Sequence, residues 1–331
     1  MLSLFRTNQL LGGALYVFYL LLLRGLSLIL PEYFTWEIQS SGFLSFPVLE
    51  WLDTQTYWIE EVLSFGLLLF QAMFITLSLR RHRLLSEDLL IPGALYLLVV
   101  NALPAFHEVS PMLLANTFLL IGVDQLITTY RNQNCADHLF NVGLAVAIAS
   151  FFHFSYLTFL LLGFLGLGSL RLFRLREFLM IWSGAVVAYF LAGVYWFWMD
   201  GLEHFLQVQF LDNITFFSFV RTLSNVDVYV SLALMTFFTA SAIVGYSSLM
   251  RKQGLPFQKR IGIYYFVLFL TPTILLFQAN LDLSNLLILS IPVGVTLGLI
   301  LKSMNKTSAE IFHLFLLSIV ILWQLKPLLL R

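Results

Sequence analysis

The sequence predicts an all-α integral membrane protein, a polytopic bundle of about eleven transmembrane helices with a cytoplasmic N-terminus. Three observations lead there. Charged residues make up 11% of the 331 residues and hydrophobic ones 60%, against about 25% and 45–50% in soluble domains. That leaves too little charge to cover a water-facing surface of this size, and the mean hydropathy of +0.88 agrees. Apolar stretches of roughly the 17–25 residues that a span requires recur along the chain. Finally, Lys and Arg gather on alternate connections between those stretches.

Spans are placed near 10–30, 59–79, 89–106, 110–127, 139–152, 154–170, 178–198, 227–249, 261–279, 285–301 and 308–325. The whole of 1–331 reads as a single membrane domain, since no connection is long enough for a soluble one. The first stretch runs past Leu22 to Leu30 without a small-residue cleavage site, so it reads as a retained helix. With the N-terminus inside, 14 of the 18 Lys and Arg fall on inner connections, while the outer ones keep Arg221, Lys326 and Arg331. The same rule divides the continuous apolar run 139–170. As one helix it would place Arg171, Arg174 and Arg176 outside. A break at Phe152-His153-Phe154-Ser155 restores the alternation and predicts a short, broken or tilted helical pair.

Two long outer loops remain, 31–58 and 199–226. The first carries Glu32, Glu37, Glu50 and Asp53, no base, and Trp36, Trp51 and Trp58. Its aromatics predict interfacial helices along the outer leaflet. Arg24 lies inside the first span, where it snorkels, pairs with Glu32, or grips an anionic group such as a lipid phosphate. Asp124 lies near the inner end of the fourth span and reads as a helix-end or interfacial carboxylate. On the outer face, His107, Glu108, His153 and Arg221 join Arg24 as candidate substrate-binding groups, and Glu32, Glu37 and Asp53 are the candidate catalytic carboxylates. Sugar transfer from a polyprenyl phosphate needs a base for the acceptor hydroxyl and cations for the leaving phosphate, and these residue types supply both.

Other chemistries find no support. Zero net charge argues against a nucleic-acid partner. The single Cys135 excludes an internal disulfide and a multi-cysteine metal site. No phosphate loop or zinc motif is present, so neither a metal nor a cofactor is expected. Gly163-Phe164-Leu165-Gly166-Leu167-Gly168 lies within an apolar run and reads as helix packing.

Met1-Leu2-Ser3-Leu4-Phe5-Arg6, Asn141-Val142-Gly143-Leu144 leading to Ser150-Phe151-Phe152-His153-Phe154, and Arg174-Leu175-Arg176-Glu177-Phe178 resemble an uncharacterised family of roughly 300-residue polytopic bacterial inner-membrane proteins. More distantly, the layout is similar to GT-C glycosyltransferases and EpsG/Wzy-type polysaccharide polymerases. That resemblance implies a location in the bacterial inner membrane and a glycosyltransferase or glycan polymerase acting at the outer face on a polyprenyl-phosphate-linked sugar. It maps the base to Glu32, Glu37, Glu50 or Asp53 of the first outer loop, although the chain lacks an acidic pair directly after the first span. The lipid bilayer is the other expected partner. A non-catalytic membrane subunit of an envelope-assembly complex and a transporter or flippase are the alternatives.

Reporter fusions test the topology. Fusions after Arg83, Arg176 and Lys259 are expected to read cytoplasmic, and those near Asp53 and Asn213 external. An external reading at Arg176 would mean that 139–170 crosses once.

Overall fold

The computed structural model describes Phe5 and residues 12–29, 42–85, 89–132, 134–171, 174–213, 226–251, 253–276 and 283–326. Among them every regular element is helical: α1 (Gly12–Ile29), α2 (Ser45–Asp53), α3 (Tyr57–Arg81), α4 (Ile91–Val100), α5 (Pro111–Thr128), α6 (Ala136–Phe152), α7 (Leu160–Leu170), α8 (Leu175–Trp198), α9 (Leu202–Leu206), α10 (Val226–Val244), α11 (Tyr246–Arg251), α12 (Leu255–Leu276), α13 (Ser290–Ser303) and α14 (Lys306–Gln324). Six helical segments are long and apolar enough to cross a membrane: Tyr57–Arg81, Pro111–Thr128, Leu175–Trp198, Asp227–Arg251, Leu283–Ser303 and Lys306–Gln324. The chain is therefore a multi-pass membrane protein.

Differences from the expected spans have local causes. The stretch 89–106 is helical only over Ile91–Val100, about 15 Å at 1.5 Å per residue. The Asn101 side chain donates to the Leu97 carbonyl at 2.7 Å and ends the helix, and a short 3-10 turn, Pro104–Phe106, follows. The run 139–170 breaks at His153, which takes an extended conformation (φ −147°, ψ 109°). From there the chain re-enters through a 3-10 turn, Phe154–Phe159, before α7. Of the first outer loop, 31–41 lies outside the described residues, and α2 supplies a short helix that buries Ser45 and Leu52 and exposes Phe46 and Trp51. The second holds α9 and a π-helical turn, Gln207–Leu211.

The centre of the bundle is α4 against α13. Every residue of α4 is buried, as expected of a helix that is apolar all round. Gly294 and Gly298 of α13, four apart and so on one face, let the two backbones touch. A Cβ on Gly294 would stand 2.6 Å from Cα of Tyr96, and one on Gly298 would meet the Pro92 backbone. The α6–α8 crossing uses the same device, with Gly143 against the Ile181 carbonyl and Gly184 against Phe140. In α7, Gly163 meets Ile181 and Gly166 meets Leu126, so the glycine-rich run does serve helix packing.

Side-chain hydrogen bonds stitch the helices at depth. Gln71 donates to the Leu113 carbonyl (2.8 Å) and to Thr117 Oγ1 (2.7 Å), and it accepts from the Tyr96 hydroxyl. Tyr156 donates to Asn116 Oδ1 at 2.7 Å, and Asn116 donates to the Leu287 carbonyl at 3.2 Å. Each spares a polar group that lipid could not satisfy.

The two ends of the bundle differ. At one, Arg260 donates to the His82 carbonyl (2.7 Å), Lys302 to the Leu84 carbonyl (3.2 Å) and Arg171 to the Asn132 carbonyl (3.0 Å). Asp124 accepts there from Ser78 (2.5 Å) and Arg81 (2.9 Å) and sits 2.9 Å from His82 Nε2, which makes it the helix-end carboxylate expected. The opposite, loop-bearing end holds α2, α9 and the C-terminal ends of α1, α4 and α14.

Gly294→Ala is expected to lower unfolding stability by about 1–3 kcal/mol through overpacking. Gly168→Ala, with nothing within 4 Å of its Cβ position, is expected to be neutral or slightly stabilising. Denaturation in detergent that ranks Gly294→Ala level with Gly168→Ala would refute the backbone contact.

Candidate functional site: a buried ion pair and a lateral groove

Arg24 falls on the inward stripe of α1 with Tyr16, Tyr19, Leu20, Leu23 and Ser27, while Phe18, Leu21 and Leu22 face outward. Its side chain is wholly buried (0% exposed). Nη1 donates to Glu61 Oε1 at 3.0 Å and Nε to Asn101 Oδ1 at 2.9 Å. Nη2 is buried with no hydrogen-bond partner. Arg24 therefore pairs with Glu61, which lies in the first turns of α3, where the helix N-terminus favours a carboxylate.

The surroundings tie five segments together. The Asn101 carbonyl accepts from Gln324 Nε2 of α14 at 2.7 Å, and the same nitrogen lies 3.4 Å from His107 Nε2. Ser64 donates to the His107 carbonyl at 3.2 Å. The Val109 amide donates to Glu60 Oε1 at 3.3 Å. Tyr57 donates to the Ser27 carbonyl at 3.0 Å. Arg24 and His107 thus belong to one cluster, with Glu108 next along the chain and half-buried. Sequence reasoning missed Glu61, Asn101 and Gln324. The adjacent acids Glu60-Glu61 just inside α3 were the available signal for the first.

His153 lies elsewhere. It is buried at the break after α6, with Nε2 3.4 Å from Asn285 Oδ1 and its ring against Tyr156. Asp53 is exposed at the C-terminal end of α2, as is Glu50. Glu32, Glu37 and Arg221 lie outside the described residues. Among the described residues no group of three or more His, Cys, Asp or Glu could hold a metal ion.

Directly after His153 the chain enters the wall of a groove of about 810 Å³ between the 154–161 segment, α8 and residues 202–213. Leu157, Leu161, Trp182, Val186, Phe190 and Phe210 line it. Its volume falls in the range of ligand sites, roughly 300–1,000 Å³. The lining contains no carboxylate, imidazole or basic side chain. Leu161, Val186 and Phe190 are exposed, so the groove opens sideways, along the apolar face of α8.

The described start of the first long loop packs beside it, against Phe205 of its wall. The Phe43 amide donates to Gln209 Oε1 at 3.1 Å, and Gln209 Nε2 donates to the Ser150 carbonyl at 2.9 Å. The Leu44 amide donates to the Phe151 carbonyl at 3.0 Å. The Phe43 ring meets Phe151, Trp196 and Phe205 edge-on. Gly42 is required beneath it, because a Cβ there would strike the Phe151–Phe152 backbone. The strip that carries Glu50 and Asp53 thus begins beside the groove wall, at Phe205. No protein family, curated protein or solved structure matches the chain.

The ion pair makes a quantitative prediction. Arg24→Met or Glu61→Leu alone leaves a buried charge unpaired and is expected to cost about 3–5 kcal/mol. The double variant is expected to recover most of that loss. Additive losses in thermal denaturation would show that the two side chains do not act as a pair.

Proposed function

We propose that the chain crosses a bacterial inner membrane about eleven times, N-terminus inside, and draws the hydrocarbon tail of a polyprenyl-phosphate-linked sugar into the lateral groove. The observation that carries this reading is the groove itself, open along the apolar face of α8, with the loop strip that carries Glu50 and Asp53 packed beside its wall. An apolar recess facing acyl chains has no affinity for water and suits an isoprenoid or acyl tail. The orientation rests on the excess of Lys and Arg at one end of the bundle. Eleven crossings rest on a helix at each predicted stretch and on the tied connections at both ends.

In this reading the headgroup stands at the loop-bearing end, beside α2. A loop carboxylate, Glu32, Glu37 or Asp53, takes the proton of the acceptor hydroxyl as its oxygen attacks the anomeric carbon. The bond from that carbon to the phosphate oxygen breaks, and the polyprenyl phosphate leaves with the electron pair. Arg221, His107, Glu108 and His153 are the groups assigned to the substrate side. Of Arg24, Nη2 is wholly free for a phosphate oxygen, while Nε donates to Asn101 and Nη1 to Glu61. The alternative, a lipid-binding subunit without catalysis in an envelope-assembly complex, is favoured by the absence of carboxylate, imidazole or basic side chains in the groove.

Gly193 lines the groove, and its Cβ position has nothing within 4 Å, so Gly193→Phe can start a ring from the groove wall without a clash at its Cβ. A diazirine-bearing polyprenyl phosphate is expected to label α8 or the 154–161 segment, and the Phe variant to lose at least about tenfold of the labelling. Unchanged labelling overturns the groove as a tail site. Among Glu32→Gln, Glu37→Gln, Glu50→Gln and Asp53→Asn at matched abundance, one or two are expected to lose about 10²–10⁴-fold in transfer. Full function in all four, with the groove result intact, moves the assignment to the non-catalytic subunit.

A further inference from the structure

Three guanidinium groups meet at the arginine-rich end with no carboxylate among the described residues to balance them. Cζ of Arg131 and of Arg260 lie 5.4 and 4.9 Å from the centroid of the Tyr130 ring. Arg83 and Arg131 both stand close enough to Arg260 to oppose its charge. Two described acids at this end are committed elsewhere, Asp124 to Arg81 and His82, and Glu177 to Arg171. None of the three arginines forms an ion pair among the described residues.

The groups are also held in place. Arg260 Nη1 donates to the His82 carbonyl and Lys302 Nζ to the Leu84 carbonyl, one on each side of Arg83. Arg260 Nε is buried without a hydrogen-bond partner. Arg83 and Arg131 have φ of 55° and 59°, the left-handed region that favours glycine or asparagine. Arginine stands at both, with its side chain exposed. One turn of α12 before Arg260, Phe257 lines a hollow of about 230 Å³ with Leu249, Leu299, Gln253, Ser303 and the cationic Lys302.

We propose that Arg83, Arg131 and Arg260 form a binding site for a phosphate group, and that its source is the headgroup of an anionic phospholipid with a chain in the adjoining hollow. Guanidinium forks match phosphate oxygens in pairs, and an anion relieves the repulsion between the three cations. By the topology proposed above, the leaflet concerned is the cytoplasmic one, where basic groups close to a membrane meet anionic lipid.

The test uses the whole chain in neutral detergent, with dioctanoyl phosphatidylglycerol, dioctanoyl phosphatidylcholine and inorganic phosphate as probes. Binding is read by native mass spectrometry and by the shift in melting temperature. Phosphatidylglycerol is expected to bind at least about tenfold more tightly than phosphatidylcholine. In the Arg83→Asn/Arg131→Asn variant, whose asparagines accept the left-handed backbone, that affinity is expected to fall about 10–30-fold. Arg83→Lys/Arg131→Lys keeps the charge and is expected to keep the anionic preference at reduced affinity. Competition by inorganic phosphate at equal concentration would assign the site to free phosphate, and its failure to compete would assign it to the lipid; either supports a phosphate site. Equal binding of the two lipids, or unchanged phosphatidylglycerol binding in the asparagine variant, overturns it. If the double variant does not fold, Arg131→Asn alone gives the same reading from one exposed side chain.

Discussion

The bundle depends on the approach of two backbones, α4 and α13, at Gly294 and Gly298. Lipid gives helices no hydrophobic reason to associate, so contact must come from close packing and from polar groups with nowhere else to go. At this crossing a methyl group on either glycine would reach the opposing main chain. Because α4 has only ten residues and is buried throughout, its place is fixed by neighbours rather than by the bilayer. The polar contacts of Gln71 with Tyr96 and of Arg24 with Asn101 both require α4 at that depth.

The buried Arg24–Glu61 pair builds on this placement. Asn101 stands directly after α4 and turns one acceptor to Arg24 while its amide closes the helix. Its main chain receives Gln324 from α14. A charge that would be prohibitive in hydrocarbon is tolerated because four other segments are arranged around it.

Much of this fold was legible, for a plain reason. Bilayer thickness dictates span length, so runs such as Tyr57–Arg81 and Leu175–Trp198 declare themselves by composition. The break at His153 was legible too, because an unbroken helix would have inverted the charge of every later connection. The shortness of α4 was not, since Asn101 interrupts an otherwise apolar 89–106 and only the structure shows its side chain turned back onto the Leu97 carbonyl. Arg24 was recognisable as an intramembrane charge, but not its partner. Glu32 is nearer in sequence, and only the packing of α1 on α3 selects Glu61. The groove left no trace in the sequence at all. Apolar side chains around a recess look the same, residue by residue, as apolar side chains facing lipid.

The first loop is held beside the groove by groups that carry no charge: the Phe43 and Leu44 amides, Gln209, two main-chain carbonyls and aromatic edges. None of these groups titrates, and their contacts are not screened by salt. The opposite end, by contrast, is joined through arginine, lysine, histidine and aspartate. Ionic strength therefore acts on the exposed charged joints, Arg81 with Asp124 at one end and Lys326 with Asp227 at the other. It leaves the Phe43 contact to respond to temperature and to how tightly the surrounding lipid chains are ordered.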